Sequence, residues 1–150
     1  MNAIRNVWLG TAVLVGAIGL GGCGAMQGMM GGKGGGSQHV MLSGANEVPP
    51  VTTGASGMGD VTVAADGSVT VSVKVSGMTA TAAHIHEAAA GANGPVIVPL
   101  TKQGDDTFVT SAGAKFTESQ LAAYKAGRTY INVHSAKNPP GEIRAQLKGN

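Results

Sequence analysis

Aromatic side chains are nearly missing: the 150 residues include two Phe, two Tyr and one Trp. The single Trp8 sits in an apolar run close to the N-terminus, so a domain further along must build its core from Val, Ile, Leu, Ala and Met. Charge is also scarce, at 12% of residues with a formal net charge of +2. Arg5 and Lys33 account for the excess of 10 basic over 8 acidic side chains, which leaves the chain from Ser37 onward balanced. No basic stripe with interleaved aromatics occurs, so nucleic acid is not an expected partner. Cysteine appears once, at Cys23, which excludes a disulfide framework. A nucleophile–base–acid set, a phosphate-cradling loop and a paired-carboxylate site are absent as well. These absences argue for a binding module over an enzyme.

What is present starts with a leader. Arg5 supplies a positive flank, and Val7 to Leu20 form an uncharged apolar run. That run is shorter than the roughly 20 residues a membrane-spanning helix needs, as expected for a secretory signal. Leu20-Gly21-Gly22-Cys23 then looks like a bacterial lipobox, in which cleavage leaves Cys23 as the lipid-modified N-terminus. The expected organisation is a signal peptide over 1–22, a lipidated cysteine with a Gly/Met-rich flexible tether over 23–37, and a domain over 38–150. Gly24 stands where Asp would suggest inner-membrane retention, so the expected address is the outer membrane, with the lipid as the membrane partner. Within the tether, Met26, Met29 and Met30 offer thioethers, a soft ligand type that suits Cu(I); the alternative is plain low-complexity sequence.

From Val40 the pattern is that of short strands. Val69, Val71, Val73 and Val75 alternate with Thr70, Ser72, Lys74 and Ser76, the period-two signature of a half-buried antiparallel strand. Asp66-Gly67 supplies a hairpin signal between this run and Val61-Thr62-Val63. Further alternating sets are Val96/Val98/Leu100, Ile131/Val133 and Ile143/Ala145/Leu147. One helix is expected: Thr117 and Gln120 make a capping box, Phe116 and Leu121 a staple, and Gly127 a stop. The predicted fold is all-β, an antiparallel sandwich or barrel with one short helix.

The chemistry concentrates in histidines. His84 and His86 flank Ile85, and side chains two apart on a strand point the same way. If Ile85 faces the core, both histidines face out; Ile131 and Val133 place Asn132 and His134 outward by the same logic. His84, His86 and His134 are therefore the candidate metal ligands. His39 is a possible fourth at the tether's edge, and Asn132 is a group that could orient a ligand ring. Three neutral imidazoles suit copper, with zinc as the alternative; hydrogen bonding to backbone carbonyls is the purely structural reading. Glu142 and Arg144, two apart, are expected to form a structural ion pair.

Several spaced segments resemble the CHRD family, the chordin-type domain found in exported bacterial proteins. They are Leu42–Pro50, Ala83-His84-Ile85-His86, Asn93-Gly94-Pro95-Val96, Gly127–His134 and Asn138–Arg144, in the family's order. The chain departs from the family's common residues at Glu87, Ser135 and Ala145. The resemblance implies an all-β, immunoglobulin-like or superoxide-dismutase-like sandwich or barrel and says little about activity. His-x-His with a later Val-His is also similar, more weakly, to copper-zinc superoxide dismutases, although the zinc loop and structural disulfide are lacking. The sequence thus supports a lipid-anchored envelope binding protein holding a copper-type ion. A copper-dependent, superoxide-reacting enzyme is the second reading, and an envelope protein-interaction module with an unknown protein partner is the third.

Overall fold

The computed structural model describes residues 35–149. The expected signal segment, the Cys23 lipidation site and the methionines at 26, 29 and 30 lie outside the described residues. Alternation organises the rest. In β3 (Val69–Ser76) burial alternates at every position, with the four valines inward and the Thr, Ser and Lys side chains outward. The other strands are β1 (Gly35–Ser43), β2 (Ser56–Ala64), β4 (Ala80–His86), β5 (Val96–Gln103), β6 (Thr107–Thr110), β7 (Tyr130–Ser135) and β8 (Ile143–Gln146); burial alternates along β2 as well, whereas nearly every residue of β7 and β8 is buried. Every pairing is antiparallel, and the sheet closes on itself in the order β1-β2-β3-β6-β5-β4-β7-β8. Closure leaves no long edge to be shielded. The predicted all-β class holds, and the barrel is the member of that class the chain adopts.

Small aliphatic side chains fill the interior, as the shortage of aromatics requires. Val61, Val71, Val73, Ile85, Ile131, Val133 and Ile143 are each at most 1% exposed, and Phe108 is the large ring among them. β1 begins at Gly35, ahead of the expected domain start at 38, because Gly35 and Gly36 continue the ladder opposite Ala64 and Val63. Backbone hydrogen bonds sustain that extension without any side chain.

The local signals are realised too. Gly67 adopts φ +85° in the β2–β3 hairpin, where its N–H reaches the Ala64 carbonyl at 2.9 Å. Helix α1 (Glu118–Lys125) carries the full capping box between Thr117 and Gln120. It ends at Gly127, φ +69°, with Gly127 N–H on Tyr124 O and Arg128 N–H on Ala123 O; this double bond pattern is a Schellman stop. Phe116 and Leu121 pack onto the core beneath it. Among the described residues no helix is long and apolar enough to cross a membrane.

Candidate metal centre

Two paired strands, β4 and β7, supply the cluster, and β8 flanks it. In β4 Ile85 is fully buried in the core, which turns His84 and His86 to the outer wall. In β7 Ile131 and Val133 do the same for Tyr130, Asn132 and His134. Register places His84 opposite Asn132, His86 opposite Tyr130, and Ala82 opposite His134. On the other side of β7, Asn132 faces Arg144 and Tyr130 faces Gln146 of β8.

His84, His86 and His134 come together, with one ring nitrogen of each lying within 4.8 Å of the others. Ring centroids are 4.9 Å apart for His84–His134, 5.6 Å for His84–His86 and 6.2 Å for His86–His134. Two nitrogens sharing an ion stand no more than about 4.2 Å apart, because each bond is about 2.1 Å. The cluster therefore draws in slightly wherever the spacing approaches 4.8 Å. Nδ1 of His84 and Nε2 of His134 are already 3.0 Å apart.

Hydrogen bonds fix the tautomers. Nδ1 of His86 lies 2.9 Å from the Gly94 carbonyl, and Nδ1 of His134 lies 2.8 Å from the Pro139 carbonyl. A carbonyl only accepts, so both Nδ1 atoms carry the proton, and in the neutral rings both Nε2 atoms present a lone pair. Nε2 of His134 accepts from His84. Nε2 of His86 is buried and has no hydrogen-bond partner. A bare, buried, oriented nitrogen beside two other imidazoles has the donor character that a transition metal takes. Burial, followed by the neighbouring His134 and His86, lowers the pKa of His84. Burial is also the main reason that His86 is lowered, partly offset by its Gly94 hydrogen bond. Both shifts favour the neutral ring, the form that is able to ligate a metal.

The outer wall here is roofed. His86 is only 8% exposed, although it points away from the core. Residues 87–95 fold over it, tied by Glu87 N–H to the Pro95 carbonyl at 3.0 Å and by Gly94 N–H to the Tyr130 hydroxyl at 3.3 Å. Gly94 must be glycine, since a Cβ there would stand 1.8 Å from the Glu87 carbonyl oxygen. Beneath the roof the His86 ring stacks on Tyr130 at 4.8 Å and 7°, and the Arg144 guanidinium lies 3.4 Å from the centre of the Tyr130 ring.

The expected Glu142–Arg144 pair does not form. Arg144 donates instead to the Asn93 side chain (3.0 Å), the Ala92 carbonyl (2.8 Å) and the Gln146 side chain (3.3 Å). It clamps the roof that carries Gly94. Glu142 accepts from Thr53 at 2.6 Å and from the Ser135 hydroxyl. Ser135 Oγ in turn accepts Asn138 N–H at 3.1 Å, which holds the turn that presents the Pro139 carbonyl to His134. Two residues apart in sequence, the pair serves two different clamps.

His39 is not part of the cluster. It is exposed in β1, and its Nδ1 lies 3.1 Å from Asp60. Asn132 is buried and donates to the Pro140 carbonyl at 3.3 Å. Its side chain lies against His86 and Glu47, with Oδ1 left unpartnered. Tyr130, Gly94, Pro139 and Glu47 were not predicted. Alternation from His134 through Asn132 would have reached Tyr130. A backbone carbonyl leaves no trace in a sequence, so Gly94 and Pro139 had no such signal.

Fold and site define a class: an eight-stranded antiparallel barrel with a three-imidazole cluster on its outer wall. The chain matches the family model of the CHRD domain over residues 39–147, and it belongs to that family. No curated protein and no solved structure matches it.

Proposed function

We propose that this CHRD domain is the metal-binding part of an envelope protein, anchored through a lipid on Cys23 at the outer membrane. His84, His86 and His134 hold the ion, with Nε2 of His86 and of His134 as donors and Nδ1 of His84 as the third once its proton has moved to Nε2 and the ion has replaced its bond to His134. Copper is the ion this donor set favours, since three neutral imidazoles suit it and it stands highest in the divalent affinity order. The observation that carries the reading is the buried, unpartnered Nε2 of His86, held bare by the bond from its Nδ1 to Gly94. A histidine kept only for structure would have both nitrogens satisfied, because an orphaned buried acceptor costs about 1–3 kcal/mol.

Calorimetric titration with Cu(II) and Zn(II) tests it. The protein should take up one Cu(II), more tightly than Zn(II), and His86→Ala should abolish that event. Equal uptake by the His86→Ala protein would overturn the assignment. Metal content and acylation of the protein recovered from its own membranes test the ion and the anchor separately.

A further inference from the structure

A second cluster of donor atoms lies on the barrel wall away from the roofed histidines. Met41 of β1 and Met58 of β2 are direct cross-strand partners, and both are strongly exposed, at 72% and 56%. His39 lies two residues before Met41 on the same outward face, with Asp60 opposite it. These four side chains form the corners of a patch in which cross-strand Cβ atoms stand roughly 4.5–5.5 Å apart. Neighbours along a strand are about 7 Å apart, within reach of a methionine's three rotatable bonds.

Asp60 gives the imidazole its orientation. The carboxylate lies 3.1 Å from Nδ1 of His39 and only accepts, so Nδ1 carries a proton and in the neutral ring Nε2 presents the lone pair. The same tautomer is enforced at His86 and His134 by carbonyls. Here the second and third donors are thioethers instead of imidazoles. Two exposed sulfurs beside a bare imidazole nitrogen select a soft monovalent ion, and the Asp60 carboxylate balances its charge. Lys74, the cation paired across from Met58, is drawn off by Asp106 at 3.4 Å. An apolar partner fits this patch poorly, because His39, Asp60 and Lys74 surround the two methionines.

We infer that Met41, Met58 and His39 form a Cu(I) site separate from the three-histidine cluster. Continuing the Ser43–Arg144 register puts Met41 beside Gln146, then Tyr130, then His86, in one row across the wall. Three strand spacings make that separation roughly 14 Å, too far for the two sites to share an ion. Its loading does not depend on the three-histidine reading.

The test uses Ag(I) as a redox-inert stand-in for Cu(I), with the full-length chain labelled at its methionine methyl carbons and followed by NMR. Met41 and Met58 should shift together and saturate at one equivalent with the His39 ring, while half-buried Met78 stays still. Met41→Leu should lower Ag(I) affinity at this site at least tenfold or so, since even groups one step removed from a metal change affinity about 10–100-fold. It should also stop the Met58 response, and His86→Ala should leave the site intact. The site is overturned if only Met26, Met29 and Met30 respond, if Met58 titrates unchanged in Met41→Leu, or if His39 does not move with the sulfurs.

Discussion

The outer wall of this barrel has two halves built to opposite plans. Over β4, β7 and β8 the outward residues include His86, Tyr130, Asn132 and Arg144, buried under residues 87–95 and the turn before Glu142, with His84 and His134 half-buried beside them. Over β1 and β2 they include His39, Met41, Met58 and Asp60, all four left in solvent. The alternation is the same in both, so the difference comes from what the loops do. On the covered half a polar side chain must find partners, because water cannot serve it. That demand turns neighbouring residues into a supported site, and it leaves the bare half with donors but little support.

The covered half should break most completely at Arg144. Arg144→Leu removes the cation that holds Asn93, the Ala92 carbonyl and the Tyr130 face. It also leaves Glu47, buried and facing Arg144 electrostatically, without compensation. Loss of about 3–5 kcal/mol is expected in urea unfolding, the range for stripping a buried charge of its partner. Arg144→Lys should recover only part of this, since an ammonium cannot span the same fork of acceptors.

Gly94→Ala comes next. Its Cβ would meet the Glu87 oxygen at 1.8 Å, so the roof has to shift and the His86 Nδ1 bond goes with it. About 1–3 kcal/mol of stability should be lost, together with a 10–100-fold fall in Cu(II) affinity read by calorimetry. Unchanged affinity would mean that the roof does not orient His86. Glu142→Gln acts on the other clamp and should cost about 1–2 kcal/mol, because it replaces charge-assisted bonds from Ser135 and Thr53 with neutral ones.

Acid should also discriminate between the halves. His84 and His86 have folded pKa values below 6.5 because burial disfavours their charged forms. As pH falls through about 6.5, the unfolded chain takes up these protons first, so metal-free stability declines toward the lower folded values. Glu47 works in the opposite sense: burial raises it above 4.5, and the folded state gains its proton first. Urea midpoints of His86→Gln should therefore fall less steeply than those of the parent as pH drops below 6.5. An identical slope would show that His86 does not contribute.

Much of this was readable from residue order. Period-two valines specify the barrel staves, Thr117/Gln120 the helix start, and Ile85 with Val133 the outward turn of the three histidines. Covering them was not readable, because it depends on contacts such as Asn93 Nδ2 to the Val48 carbonyl at 2.7 Å, across 45 residues. Glu142 and Arg144 misled for the same reason. Spacing of two suggests a local pair, whereas their partners, Thr53 and Asn93, come from loops that only the closed barrel brings near. The aliphatic pattern encodes the inner wall locally, while distant segments decide the chemistry of the outer one.

The smallest effect on stability belongs to the bare half, and it tests the comparison from the other side. Met41→Thr exchanges a side chain that is 72% exposed for one with good strand propensity. Nothing buried loses a partner, so unfolding free energy should stay within about 0.5 kcal/mol of the parent. Cu(II) uptake at the three histidines should be unchanged too, because Met41 supports neither the Arg144 nor the Glu142 clamp. Ag(I) binding at the sulfurs should nonetheless be lost. A loss of stability well beyond that range would mean that Met41 packs against the wall after all, and the division into covered and bare halves would fail at its clearest point.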